Sequence, residues 1–450
     1  MRLVEILHAL PRKRLLLSGP SGDRTVGQLL ECAEVQGEKL RGSRVALKIA
    51  DPIAGIEALI AADGQADSIT LLPHSLSEQH LPTLLELAGC DLLIDVSDSI
   101  GTALKSSVRC FSSLHAVTTR GVTPDKIEVE TTWHLSTSGT TGVPKLVAHT
   151  LRSLSRTAKR GGATGEASCW GLLYDYTRFA GLQVVLQAIF GGSRLIAPAS
   201  GLPLRERLAM LAAQGCTHLS ATPSLWRSIV MTHGARELPL RQITLGGEIA
   251  DARILAALKS AYPSTRITHI YASTEAGVGF SVKDGEPGFP AYYLDEPPAG
   301  LALRLVDGRL QIRNTDIRPT YVGTGDGFGA EDGWIDTGDN VDCIGDRVHF
   351  LGRASGVINV GGNKVHPEEV ERLLLNHPQI NAARVFGKPS SIMGTLVVAD
   401  IVPEQPPQDP ASFRADIKTY LQNQAEGFKV PAMLNLVDHI ETTANGKLAR

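Results

Sequence analysis

Paired cysteines, net charge and long apolar runs are all scarce in this sequence. Its six cysteines (Cys32, Cys90, Cys110, Cys169, Cys216 and Cys343) are scattered, with no CxxC pair and no histidine-rich neighbourhood. That argues against a zinc site or a disulfide framework and predicts inert packing residues in a reducing, cytoplasmic compartment. A formal net charge of -3 gives no global attraction to nucleic acid or to an anionic membrane. No stretch approaches the roughly 18–20 apolar residues of a membrane span; the nearest, LQVVLQAIF, reads as a buried element. The opening MRLVEILHALPRKRLLLSG holds an apolar run too short and too broken for a secretory signal. Internal repeats and low-complexity segments are absent too.

What is present is an ordinary globular composition, 43% apolar and 20% charged over 450 residues, long enough for two or three domains with a substantial core. Early in the chain the β-rich SRVALKI precedes the helix-like PIAGIEALIAADGQ, the strand SITLLP, the helix LPTLLELAG and the strand CDLLIDVS. Alternation at this spacing predicts parallel strands with helices on both faces. It resumes in GLQVVLQAIFGG, SRLIAP, RERLAMLAAQG, THLSAT, RQITLGG, DARILAALKSAYP and THIYAS, with glycine or proline punctuation as in a doubly wound sheet. From about residue 300 the chain turns β-rich, with a hairpin signal at Asp307-Gly308 and a second hairpin in VDCIGDRVHFLGR. After Arg353 comes a short α+β unit with the helices PEEVERLLLNHP and SFRADIKTYLQNQ. The expected fold class is α/β. A large N-terminal domain of doubly wound sheets plus a β-rich subdomain would span 1–352, and a small α+β C-terminal domain on a hinge would span 353–450.

The segment WHLSTSGTTGVPKLVAHT sets a loop between a strand-like and a helix-like run. Gly139 and Gly142 let the backbone turn tightly and offer N–H groups to an anion. Thr137, Ser138, Thr140 and Thr141 add hydroxyl donors, Lys145 adds a positive charge, and Pro144 stiffens the exit. This is not the P-loop of ordinary NTPases, which needs GxxxxGK[ST]; here Leu146 follows the lysine. Alone, such a stretch also fits a solvated surface loop.

STSGTTGVPK resembles the phosphate-binding signature of the acyl-adenylate-forming superfamily, which includes acyl- and aryl-CoA ligases, peptide-synthetase adenylation domains and luciferases. Further motifs of that family follow in order. YASTEAG, at 271–277, resembles the second signature. The resemblance implies that Tyr271 stacks on adenine, that Thr274 contacts the α-phosphate region with Ala272 and Ser273 beside it, and that Glu275 binds Mg²⁺, a hard cation suited to a carboxylate. Gly246, Gly247 and Glu248 resemble the segment lining the adenine pocket. WIDTGD ends on Asp339, which resembles the ribose-binding aspartate, one carboxylate serving two hydroxyls. Arg353, in LGR, resembles the arginine that also reaches the ribose.

GRASGVINVGGNKVHPEEVE resembles the family hinge, with Ser355 where relatives often carry aspartate. Its GGNKVHPEEVE part resembles CoA ligases of the benzoate and o-succinylbenzoate type, in which Gly361 and Gly362 let a pantetheine arm pass. TTANGKLAR places Lys447 where the family has its catalytic lysine.

An AMP-forming acid–thiol ligase is thus implied, using ATP and Mg²⁺, with Lys447, Thr274, Glu275 and Thr141 as catalytic residues. CoA is the first expected acceptor. A carrier-protein phosphopantetheine supplied in trans and an amide- or nitrogen-ligating enzyme are the alternatives. The acid pocket is expected around Arg178, Phe179, Gly181, Ser220, Thr222, Ala276 and Gly277. Arg178 favours a small aromatic or short polar acid if it pairs with a second carboxylate, and a structural salt bridge is its other reading. The partner expected is a small carboxylic acid, with an acyl carrier protein as the alternative, no nucleic acid, no membrane span, and room for a homodimer.

Overall fold

The computed structural model describes residues 1–95, 108–118, 130–137, 144–161, 168–315, 320–323, 332–360, 363–390 and 394–441. Two large sheets dominate it. The first runs in the order Gly277–Val282, Arg266–Ser273, Gln242–Gly246, His218–Ala221, Cys169–Gly171, Arg194–Ile196, Leu15–Ser18 and Arg24–Thr25. Its interior pairs are parallel and its two edge pairs antiparallel. The second holds Thr320–Tyr321, Leu146–Thr150, Thr132–Ser136, Ser68–Leu71, Arg44–Lys48, Leu92–Asp95 and Arg109–Phe111.

The helices Val26–Leu40, Pro52–Ala62 and Phe179–Gly191 share one hydrophobic cluster with strand residues of both sheets, such as Leu17, Val45, Ile69 and Leu195. LQVVLQAIF lies in the third of these helices, with Leu182, Val185, Leu186 and Ile189 fully buried. The alternation expected from sequence is therefore present, and it yields an α/β fold. Helix Val26–Leu40 was not anticipated, although Thr25 and Gln28 form a capping box at its start.

A five-stranded sheet follows, ordered Phe289–Pro290, Arg347–Arg353, Ile335–Ile344, Arg309–Asn314 and Leu301–Val306. Its Leu301–Val306/Arg309–Asn314 hairpin turns on Asp307 (φ 52°) and Gly308 (φ 71°), the left-handed pair that a two-residue turn needs. Beyond it, helices Pro367–Leu375 and Pro410–Gln422 pack on the three-stranded sheet of Ile380–Ser390, Gly394–Pro403 and Met433–Leu436, with a hydrophobic cluster of their own. Among the described residues, no helix is long and apolar enough to cross a membrane.

Candidate active site

Strand register brings Asp339 opposite Arg353. The Arg353 Nε lies 2.8 Å from Asp339 Oδ1, and its Nη1 donates to the Thr337 carbonyl at 3.1 Å. The Tyr271 hydroxyl donates to Asp339 Oδ2. Burial first, then the Asp339 charge, pushes the phenol far above its usual range, so it stays a donor.

The Tyr271 ring, expected to offer a face to adenine, stands against two aromatic side chains. Phe350 stacks on Tyr271 at 5.1 Å and 4°, and Phe280 at 5.3 Å and 14°. Phe280 is its cross-strand neighbour.

Near the proposed phosphate loop, the Thr137 N–H donates to the Lys145 carbonyl at 2.9 Å and closes the stem on which the loop stands. Ser138, Gly139, Thr140, Thr141 and Gly142 lie outside the described residues. The Lys145 ammonium sits 4.7 Å from the centre of the Tyr321 ring. Burial, then the charge of Glu275, raises the Tyr321 pKa, which puts the Glu275 carboxylate in the same neighbourhood. His149 ties this region to the second motif, its Nε2–H donating to the Thr274 carbonyl at 2.9 Å. Burial is the main cause that holds His149 down at about 4, so the ring is neutral at pH 7.

Among the described residues no group of three or more His, Cys, Asp or Glu side chains is arranged to hold a metal ion. A lone carboxylate such as Glu275 fits Mg²⁺, which takes one or two carboxylates and completes its shell with phosphate oxygens and water.

A cavity of about 710 Å³ runs along one face of the first large sheet. Its floor is built by alternation: Arg266, Thr268, Ile270 and Ala272 on one strand, Gln242, Thr244 and Gly246 on the next, and His218 and Ser220 on the third, with Thr222 just past its end. The intervening Leu219, Ile243 and Leu245 point into the core on the opposite face. Helix Phe179–Gly191 forms the roof through Phe179, Gln183, Val184 and Gln187.

Of the residues expected at the site, Arg178, Phe179, Ser220, Thr222, Gly246, Gly247, Ala272, Ser273 and Thr274 line this cavity. Arg178 reaches Ser136, with Nη1 3.2 Å from its Oγ, while its buried Nε has no hydrogen-bond partner. Burial lowers its pKa and the Asp175 charge opposes the shift.

The lining expected at Gly181, Ala276 and Gly277 is not found. A Cβ on Gly181 would stand 2.1 Å from the Asp175 carbonyl, so the position serves a close backbone approach. Ala276 is buried in the adjoining β-rich core, and Gly277 (φ 72°) makes the turn into the edge strand. Glu248 accepts the Ser224 N–H at 3.0 Å, in the first turn of helix Pro223–Met231, and does not line the cavity. Ser355 is exposed in the 3₁₀ turn Ala354–Gly356. Gly361, Gly362 and Lys447 lie outside the described residues. Sequence reasoning missed Tyr321, His149 and the polar floor, although HLSAT, QITLG and RITHIYA carry the floor's period-two signal.

The chain matches the family described as AMP-binding enzyme over residues 54–315 and the AMP-binding enzyme C-terminal domain over residues 369–447. It is 26% identical to oxalate–CoA ligase of Arabidopsis thaliana over 406 residues, covering 82% of this chain and 73% of that protein. It is 29% identical to a probable non-canonical nonribosomal peptide synthetase, CymA, of Salinispora arenicola (strain CNS-205) over 70% of this chain. That match spans only 4% of the synthetase, so the chain corresponds to a small part of such a relative's length. The solved structure of o-succinylbenzoate CoA synthetase from Bacillus subtilis, in complex with its acyl-adenylate intermediate, shares the fold with a TM-score of 0.76. The two are 19% identical, and the match covers 99% of this chain and 96% of that one.

Proposed function

The chain belongs to the AMP-binding enzyme family, and we propose that within it this protein activates a small carboxylic acid as an acyl-adenylate and passes the acyl group to a thiol. The observation that carries this reading is one continuous arrangement. The Asp339–Arg353 pair, the Lys145–Tyr321–Glu275 group and the Thr274 end of the 710 Å³ cavity all meet around the strand Arg266–Ser273 and the turn after it.

In the first half-reaction an oxygen of the substrate carboxylate bonds to the α-phosphorus of ATP. The bond to the bridging oxygen breaks and pyrophosphate leaves. Asp339 and Arg353 hold the sugar, Lys145 offsets the charge of the departing phosphates, and the hydroxyls of Thr137, Ser138, Thr140 and Thr141 donate to them. Thr274 is kept in place by His149. Glu275 is the residue that would hold Mg²⁺, whose charge offsets that of the phosphate oxygens. Lys447 would bridge the carboxylate and the nucleotide.

In the second half-reaction a thiolate attacks the carbonyl carbon of the mixed anhydride. The bond from that carbon to the phosphate oxygen breaks and AMP leaves. The unit from 353 to 450 would turn about Ser355, withdrawing Lys447 and bringing Gly361 and Gly362 to the thiol path. CoA is the preferred acceptor, because the segment GGNKVHPEEVE resembles that of CoA ligases. The carrier-bound phosphopantetheine arm ends in the same thiol and is the second reading.

The test is product analysis with ATP, Mg²⁺ and a panel of acids, with and without CoA. AMP, pyrophosphate and an acyl-CoA mass are expected. ADP formation, or no acid-dependent product, would overturn the reading.

A further inference from the structure

Adenylation alone does not account for the charge pattern of the cavity. Six of its lining side chains are cationic (Arg156, Lys159, Arg160, Arg178, Arg266 and Lys283), and no aspartate or glutamate lines it among the described residues. Arg178 stands beside Ser136, next to the phosphate loop. Arg266 stands at the far end of the floor, where its strand begins. Six residues of extended chain separate Arg266 from Ala272, on the order of 20 Å at about 3.3 Å per residue. A nucleotide held near Thr274 and Asp339 therefore leaves Arg266 to another anion.

Arg266 is exposed, and its Nε is tied to the row beside it. Register sets His218, Gln242 and Arg266 side by side in one row. The buried Gln242 locks its amide by donating Nε2–H to the Ile243 carbonyl at 2.8 Å and to Thr244 Oγ1 at 3.2 Å. Its Oε1 then accepts the Arg266 Nε–H. Among the described residues no acceptor meets the two terminal nitrogens, and such a fork matches an oxyanion. His218 is no counter-ion: burial, followed by the charges of Arg266 and Arg241, pushes it down to about 4, so it is neutral at pH 7.

We infer that the acid activated here is elongated and anionic at both ends, with its reacting carboxylate at Thr274 and a second oxyanion in the fork of Arg266. This rests on the adenylation reading and names its substrate class. The far group lies on the order of 20 Å from the reacting carbon, the length of floor between Arg266 and Ala272.

The experiment is acid-dependent ATP–pyrophosphate exchange over matched straight-chain monoacids and α,ω-diacids of increasing length. It compares the wild-type chain with Arg266→Gln and Arg266→Glu. A diacid of matching length should exceed the equal-length monoacid in kcat/KM by about tenfold or more. Arg266→Gln should erase that preference with the KM for ATP unchanged, and Arg266→Glu should turn it toward ω-amino acids. Monoacids preferred at every length, or a preference untouched by both substitutions, would overturn the inference and leave adenylation standing. Exchange with no acid at all would overturn adenylation. In that case the rise in melting temperature on adding each acid reads the same preference without turnover. Diacid-selective stabilisation lost in Arg266→Gln would support the inference, and its absence would sink it.

Discussion

Arg353 and Asp339 face each other across two antiparallel strands, with Nε 2.8 Å from Oδ1, while the second carboxylate oxygen takes the Tyr271 hydroxyl. The carboxylate is thus oriented from two sides before any sugar arrives. Asp339→Asn should raise the KM for ATP about tenfold or more, since a hydrogen bond to a charged group contributes about 1.5–3 kcal/mol. The KM for the acid should stay within about twofold, because Asp339 is not part of the cavity lining. Steady-state kinetics with each substrate varied in turn checks this, and an unchanged KM for ATP contradicts it.

The Lys145 ammonium is steadied by the Tyr321 ring at 4.7 Å. Such a contact contributes about 0.5–2 kcal/mol. Tyr321→Leu should therefore slow pyrophosphate exchange by roughly 2- to 30-fold. The melting temperature should change little. A rate equal to wild type would show that the lysine needs no support.

Gly181 acts on stability. An alanine there would place its Cβ 2.1 Å from the Asp175 carbonyl, and overpacking of this kind costs about 1–3 kcal/mol. The variant should melt at lower temperature, and its folded fraction should keep the wild-type order of acids. A changed order with unchanged melting would restore Gly181 to the pocket.

Two buried histidines make the fold sensitive to acid. Burial pushes His134 and His149 down to about 4 from an unfolded value of 6.5. Between those values the unfolded chain binds more protons, so their contribution is full above pH 6.5 and is lost as pH falls toward 4. Each group can change stability by up to about 1.4 kcal/mol per pH unit in that window. His149→Gln, which can still donate to the Thr274 carbonyl, should flatten the fall of melting temperature with pH. An identical slope would contradict the assignment.

Much of the fold was legible because hydrophobic alternation and turn residues act locally. Asp307-Gly308 names its own turn, and SRVALKI, SITLLP and THLSAT fall on observed strands. Helix Val26–Leu40 escaped because Gly27 and Gly37 lower its local propensity, while tertiary burial of Leu29, Ala33 and Leu40 sustains it. The site divides the same way. Asp339, Arg353, Lys145 and Glu275 sit in contiguous motifs that become readable from their order along the chain. Tyr321 meets Lys145 only because its short strand pairs with Leu146–Thr150, and Arg266 joins Gln242 only through parallel register. Tyr271 shows the converse: its motif was visible, but the two aromatic rings stacked against it come from other strands.

The central claim is that ATP is split between its α- and β-phosphates by a carboxylate. Isotope exchange between labelled pyrophosphate and ATP, measured with acid present and every thiol omitted, tests it most directly. Exchange that rises with acid concentration and needs no acceptor is the predicted result. Exchange that ignores the acid, or appears only when a thiol is added, would contradict it.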